Sequence, residues 1–160
     1  ADEKTVSGIF GSNGECKNVS YVRRYLKADG TYVGIATDNK SEAPIVAHES
    51  EADNEMRTVR FEREGKKDVL MVNYQTHYGD SPARYPDQYS ADFVHTFREA
   101  AEKELDCLFT YHSGASGNLN FISVLPGERK HPTIGEAAAE MLRSMDIIHR
   151  KRRITESGSQ

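Results

Sequence analysis

The stretch "LMVNYQTHYGD", residues 70–80, runs apolar out of charged sequence and meets His77 where a buried strand would finish. A histidine there can ligate a metal or act as a general base, because imidazole carries a lone pair and exchanges its proton near neutral pH. The same placement suits an ordinary loop residue. No second histidine follows at i+2 or i+4, so the stretch holds no self-contained zinc motif. His48, His95, His131 and His149 have no supporting neighbours in sequence. The second candidate is "HSGASGNLN", residues 112–120. Its glycines, Gly117 among them, permit positive φ and let backbone N–H groups approach a ligand, while Asn118 and Asn120 offer side-chain donors. Such a loop suits an anion or the oxyanion of acyl transfer. Ser116 sits one position away from the serine of a G-x-S-x-G elbow, and no lysine follows as in a phosphate-binding loop. A plain connector is the alternative reading of this loop, and a serine hydrolase built on Ser116 is a further one.

These residues need elements to bring them together. Residues 5–9 read as a short strand and "GSNG", 11–14, as a turn. Residues 18–25 and 31–35 read as strands joined by a turn at "ADG". Residues 36–54 are polar and read as a long loop. In "MRTVRFE", 56–62, Val59 and Phe61 share a face with charge between them, and 68–74 is a continuous apolar run, as in a strand covered on both faces. The two form a hairpin across "REGKK". A helix over 90–104 starts at Ser90 as N-cap with Asp92 in its first turn, and Val94, Phe97, Ala101 and Leu105 recur at helical spacing. Residues 106–112 form the next strand. Thr133 and Glu136 make a capping box for a last helix, whose stripe Ile134, Ala137, Ala138, Met141, Leu142, Met145 and Ile148 faces a core. The order predicts an α/β fold: a mixed sheet with packed helices and one β-α-β crossover at residues 68–112. A right-handed parallel crossover puts the loops after both strands on one sheet edge, where open α/β sheets bind ligands. His77 and residues 113–118 are thus expected to be neighbours.

The chain has 160 residues, 37% hydrophobic and 29% charged, with a formal net charge of −4. That suits a single domain over 1–153, or a part of a larger catalytic domain, with a disordered tail at 154–160. Charge and composition give no nucleic-acid signature, and "HRKRR", 149–153, reads as the basic end of a helix. Cys16 and Cys107 are too few for a disulfide framework, and Cys107 reads as a small buried hydrophobe. No stretch is apolar over the length of a membrane span, and "ADEKTVSG" reads as a strand entered from upstream.

"VNYQTH", then "YSADFVHTFREAAEKEL", then "LFTYHSGASGNLN" together resemble the neutral/alkaline ceramidase N-terminal domain family, with its V-N-(F/W)-x-x-H segment, S-A-D-F helix start and G-x-x-G-(D/N)-(I/L/V)-(N/S) loop. "YVRRY", "DGTY" and "HESEADNEMRTVRFEREGKKDVLMVNYQTH" resemble its bacterial members. The likeness runs in order from about residue 8 to 125.

The resemblance implies a zinc-dependent amidohydrolase acting on a lipid-like or small N-acyl amide. The family's zinc is held by two histidines, a glutamate and a tyrosine, and His77 falls on the second histidine. Arg23 matches an arginine near the substrate head, and Ser116 is placed beside the substrate without matching the catalytic serine. Asn120 stands at the family's serine position and Asn118 at its aspartate position. Asn120 can donate a hydrogen bond but cannot serve as nucleophile or base. The remaining ligands match nothing in this chain. The resemblance therefore implies an internal fragment that depends on the remainder of a parent polypeptide and is inactive alone. A binding or structural domain that keeps the fold without the chemistry is the alternative.

Overall fold

The computed structural model describes residues 6–34, 43–78, 89–121, 123–128, 133 and 135–145. In chain order the strands are β1 (Val6–Glu15), β2 (Tyr21–Val22), β3 (Tyr25–Lys27), β4 (Tyr32–Val33), β5 (Ile45–His48), β6 (Glu55–Arg63), β7 (Val69–Tyr74), β8 (Leu108–Ser113) and β9 (Leu119–Asn120). Helix α1 (Phe93–Leu105) joins β7 to β8, and residues 135–145 form α2. The main sheet has the order β1-β6-β7-β8. β1, β6 and β7 are antiparallel neighbours, and β8 joins β7 in parallel. This is the mixed sheet with packed helices, and the crossover, that the sequence predicts. Two small sheets, β2-β9 and β4-β3-β5, complete the strands.

One face of the main sheet makes the core. Met56, Leu70, Val72, Tyr74 and Phe109 are buried there with Phe93, Phe97 and Ala101 of α1 and Ala137, Ala138, Met141 and Met145 of α2. Phe97 meets Phe109 edge to face at 4.8 Å between ring centroids. Burying each such phenylalanine contributes about 1.5–3 kcal/mol. The capping box of α2 forms in both directions: Thr133 N donates to Glu136 Oε2 at 2.8 Å, and Glu136 N donates to Thr133 Oγ1 at 3.2 Å.

Several local readings are corrected. "GSNG" is no turn: it continues β1, whose register with β6 runs from Val6↔Arg63 to Glu15↔Glu55. A long antiparallel ladder outweighs the weak strand preference of glycine and asparagine. The 36–54 segment contains β5, which pairs with β3. The strand read over 18–25 is divided into β2 and β3. β6 buries Met56 and Thr58, not Val59 and Phe61, and Thr58 tolerates burial because its hydroxyl meets Ser12 Oγ at 3.1 Å. β7 alternates: Leu70, Val72 and Tyr74 are buried and Val69, Met71 and Asn73 half-buried, so one face only is closed. Asp92, not Ser90, caps α1. Its carboxylate accepts from Phe93 N at 2.6 Å, while Ser90 Oγ accepts from Asp92 N at 3.0 Å. Ile134, Ile148, the 149–153 run and the 154–160 tail lie outside the described residues.

Candidate functional site

β7 and β8 run in register to their carboxyl ends, where Tyr74 pairs with Ser113. The Tyr74 carbonyl accepts from Gly114 N at 3.2 Å and from the Tyr111 hydroxyl at 2.6 Å. The Tyr74 hydroxyl in turn donates to the Cys16 carbonyl at 2.8 Å. Burial raises the phenols of both tyrosines far above their ordinary range, so they act here as fixed donors. Burial also pushes the Cys16 thiol up to about 11, which removes it as a nucleophile. Because β6 runs antiparallel to this pair and β1 antiparallel to β6, the start of β6 and the end of β1 come to the same edge. Gln75 Nε2 donates to the Asp53 carbonyl there at 3.2 Å.

The segment carrying His77 and the loop after β8 touch. A Cβ built on Gly114 would stand 3.0 Å from Gln75 Cβ and 3.2 Å from its Oε1. His77 is exposed, and its Nδ1 donates to the Tyr78 carbonyl. The other ring nitrogen, Nε2, has no partner among the described residues. A donor bond from Nδ1 to a carbonyl with Nε2 open is the arrangement metal-binding histidines adopt. Thr76, immediately before it, is fully buried with an unpartnered hydroxyl.

Ser116 is half-buried, and its carbonyl accepts from Leu119 N at 3.0 Å. Gly117 and Asn118 are exposed. The Asn118 carbonyl accepts from Arg23 N at 2.8 Å, and Asn120 pairs with Tyr21 across β9 and β2. The fold therefore brings Arg23 to the loop that holds Ser116, Gly117, Asn118 and Asn120. The loop leaves β8 at Gly114, which lies against Gln75, two residues before His77. The positive-φ freedom expected of this loop is not used: the glycines with positive φ are Gly30, Gly65 and Gly127. At Gly114 the requirement is close approach to Gln75 instead. Among the described residues no group of three or more His, Cys, Asp and Glu side chains could hold a metal. With His77 as a single candidate ligand, these residues do not by themselves fit a zinc ion.

His48, which has no supporting pattern in the sequence, is the most engaged histidine. Its Nδ1 lies 2.5 Å from the Val22 carbonyl, and its Nε2 lies 2.7 Å from Glu128 Oε2 and 3.3 Å from Ser123 Oγ. Tyr21 stacks on the ring at 5.9 Å and Tyr25 leans on it at 4.9 Å. Ser123 donates to Glu128 Oε2 as well. With Glu128 occupying Nε2, and Ser123 buried and donating to the carboxylate, the trio is not arranged as a nucleophile–base relay. No local pattern announces it, since the partners of His48 lie 26 to 80 positions from it.

No protein-family model and no curated protein matches the chain. Among solved structures, the neutral ceramidase from Pseudomonas aeruginosa is similar, with a TM-score of 0.56 at 15% sequence identity over 88% of this chain. The match covers 22% of the ceramidase chain, so this chain spans about a fifth of that length. At such identity the likeness speaks for the fold alone. The chain has a ceramidase-like α/β fold.

Proposed function

We propose that the chain is part of a ceramidase-like zinc-dependent amidohydrolase that cleaves a lipid-like or small N-acyl amide, working together with the remainder of a parent polypeptide. What supports this reading is a run of contacts after β7 and β8: Gln75, two residues before His77, lies against Gly114, and in the same loop the Asn118 carbonyl accepts from Arg23 N. In this reading His77 contributes one metal ligand through its open Nε2. The carboxamides of Asn118 and Asn120 and the backbone at Gly117 offer donors to the polarised carbonyl oxygen. Ser116 and Arg23 border the substrate. The described residues supply one candidate ligand, so no catalytic step is assigned to the metal.

The test uses the full product of the reading frame with a fluorogenic N-acyl amide. Hydrolysis that falls at least about a hundredfold in His77→Ala, with bound zinc lost in parallel, is the expected result. The isolated chain should retain substoichiometric zinc after dialysis, measured by elemental analysis. One tight equivalent would mean that other residues of this chain complete a site. Hydrolysis unaffected by His77→Ala refutes the assignment.

A second reading, a binding or structural domain without catalysis, is favoured by the asparagines at 118 and 120, whose backbone is tied into the pairing of β2 with β9. Absence of hydrolysis by a full product that still folds would select it.

A further inference from the structure

His77 is exposed, yet the residues on both sides of it are fixed. Thr76 is fully buried. Tyr78 leaves 47% of its surface open, but its ring stacks on Phe93, with 5.5 Å between ring centroids and 25° between the planes. Phe93, the first residue of α1, is a rigid platform. It is fully buried, and Tyr111 and Phe121 each meet it edge to face at 5.4 Å. Tyr111 is itself tied by its hydroxyl to the Tyr74 carbonyl at 2.6 Å, at the end of β7. The Tyr78 ring thus stands on a cluster built from α1, β8 and Phe121. That cluster holds the Tyr78 backbone from the side-chain end.

This anchoring bears on His77 through one hydrogen bond. The Tyr78 carbonyl accepts from His77 Nδ1, and Nε2 has no partner among the described residues. The bond decides the tautomer: with the proton on Nδ1, the Nε2 lone pair is free. An imidazole without such a partner keeps its proton mostly on Nε2 in water, which leaves a donor where the site needs an acceptor. A carbonyl one residue along holds the Nδ1 proton only while the chain at 77–78 keeps its course. The stack on Phe93 keeps that course, since aromatic pairs of this geometry attract beyond the area they bury. The Tyr78 hydroxyl has no hydrogen-bond partner among the described residues, so it is the ring that holds.

We propose that Tyr78 is a positioning residue for His77. Its ring, stacked on Phe93, fixes the carbonyl that takes the Nδ1 proton, and so keeps Nε2 an open acceptor. The use made of Nε2 rests on the amide-hydrolysis reading; the tautomer does not.

The experiment reads the two ring nitrogens of His77 by long-range 1H–15N correlation in the labelled chain at about pH 8.5, well above the usual imidazole value of about 6.5. The signals are assigned by their loss in His77→Ala. In wild type and in Tyr78→Phe the proton should sit on Nδ1. In Tyr78→Ala and Tyr78→Leu it should pass mostly to Nε2. Tyr78→Leu keeps an apolar cover over Phe93, which separates loss of the stack from loss of the fold, and the amides of β6 should not move in any variant. In the full product, hydrolysis of the fluorogenic amide should fall about tenfold or more in Tyr78→Ala and be restored in Tyr78→Phe. A wild-type proton on Nε2, or a wild-type pattern retained in the alanine and leucine variants, overturns the proposal. The expected tautomers in a full product that does not hydrolyse amides uphold the positioning and refute only the reaction.

Discussion

Gly114 joins the two loops of the candidate site, and replacing it measures whether they are in contact. In Gly114→Ala the new methyl would stand 3.0 Å from Gln75 Cβ, whereas carbon–carbon contacts are optimal at about 3.5–4.0 Å. The neighbour is the root of a side chain, so it moves only with its backbone. Gln75 follows Tyr74, whose carbonyl receives the Gly114 N–H at 3.2 Å, and its own side chain reaches the Asp53 carbonyl at 3.2 Å. Relieving the overlap stretches both. Overpacking of this kind costs about 1–3 kcal/mol. The alanine returns about 0.4–1 kcal/mol by restricting the unfolded chain. The net loss is about 1 kcal/mol, or a melting midpoint lower by about 2–4 °C for a chain of this size. Gly117→Ala is the matched control. No atom lies within 4 Å of a Cβ placed there, and Gly117 does not adopt positive φ, so the restriction term acts alone and the variant should be slightly more stable than wild type. Denaturation curves of the two variants side by side, with amide shifts at Gln75, Thr76 and His77, make the assay. If Gly114→Ala is as stable as Gly117→Ala and those amides do not move, the two loops do not pack, and the shared edge fails as a site.

Asp68 fastens the β6–β7 hairpin, with Arg60 Nε at 2.7 Å and Arg63 N at 3.2 Å from its carboxylate, so Asp68→Asn should cost about 1–2 kcal/mol in urea unfolding. Burial acts to raise this carboxyl, but Arg60 and the Arg63 N–H outweigh it and hold it below the ordinary range. A depressed folded value gives stability that is complete above the unfolded value of about 3.9 and is lost as pH falls through the folded one. The gap between wild type and variant should therefore close below about pH 4, and a gap unchanged at pH 3 would contradict the pairing. The Cys16 thiol is raised to about 11 in the fold, so its contribution is complete below the free-thiol value of about 8.5 and is lost as pH rises toward the folded value. Its labelling by a thiol reagent at neutral pH should wait on unfolding, and modification at the rate of a free cysteine would refute its burial.

What the sequence discloses about this fold is what local pattern and chain direction can carry. The hairpin of β6 and β7, the helix stripe ending in Leu105, and the Thr133–Glu136 box are each written within a few residues. Where pattern fails, a partner distant in sequence has prevailed. β6 shows "TVRF" with Val59 and Phe61 as its apolar pair, yet Thr58 faces the core because Ser12 of β1 supplies the oxygen its hydroxyl needs. Asp92 displaces Ser90 as cap although both side chains can cap a helix. The two act in series, Ser90 accepting from the Asp92 N–H and Asp92 from that of Phe93, an arrangement that composition cannot rank.

The two histidines make the same distinction at the level of single residues. His77 is legible because its position depends on topology: a parallel β7–β8 pair must bring the loops leaving both strands to one edge, whatever the side chains are. His48 is not legible, because β5 itself is hidden in a polar stretch and acquires its place only by pairing with β3. Its contacts then come from Val22, Ser123, Glu128 and the stacked tyrosines, none near it in the chain. Arg23 lies between the two cases. A resemblance places it near a substrate, and the structure attaches it to residues 114–120 through its backbone N–H on the Asn118 carbonyl. That bond survives any change of side chain at 23 that keeps the backbone N–H. Arg23→Ala should therefore leave the loop in place and the fold intact, so that a loss of substrate affinity in the full product would report the guanidinium alone. A collapse of the β2–β9 pairing in that variant would mean that the side chain, and not the backbone, holds the edge together.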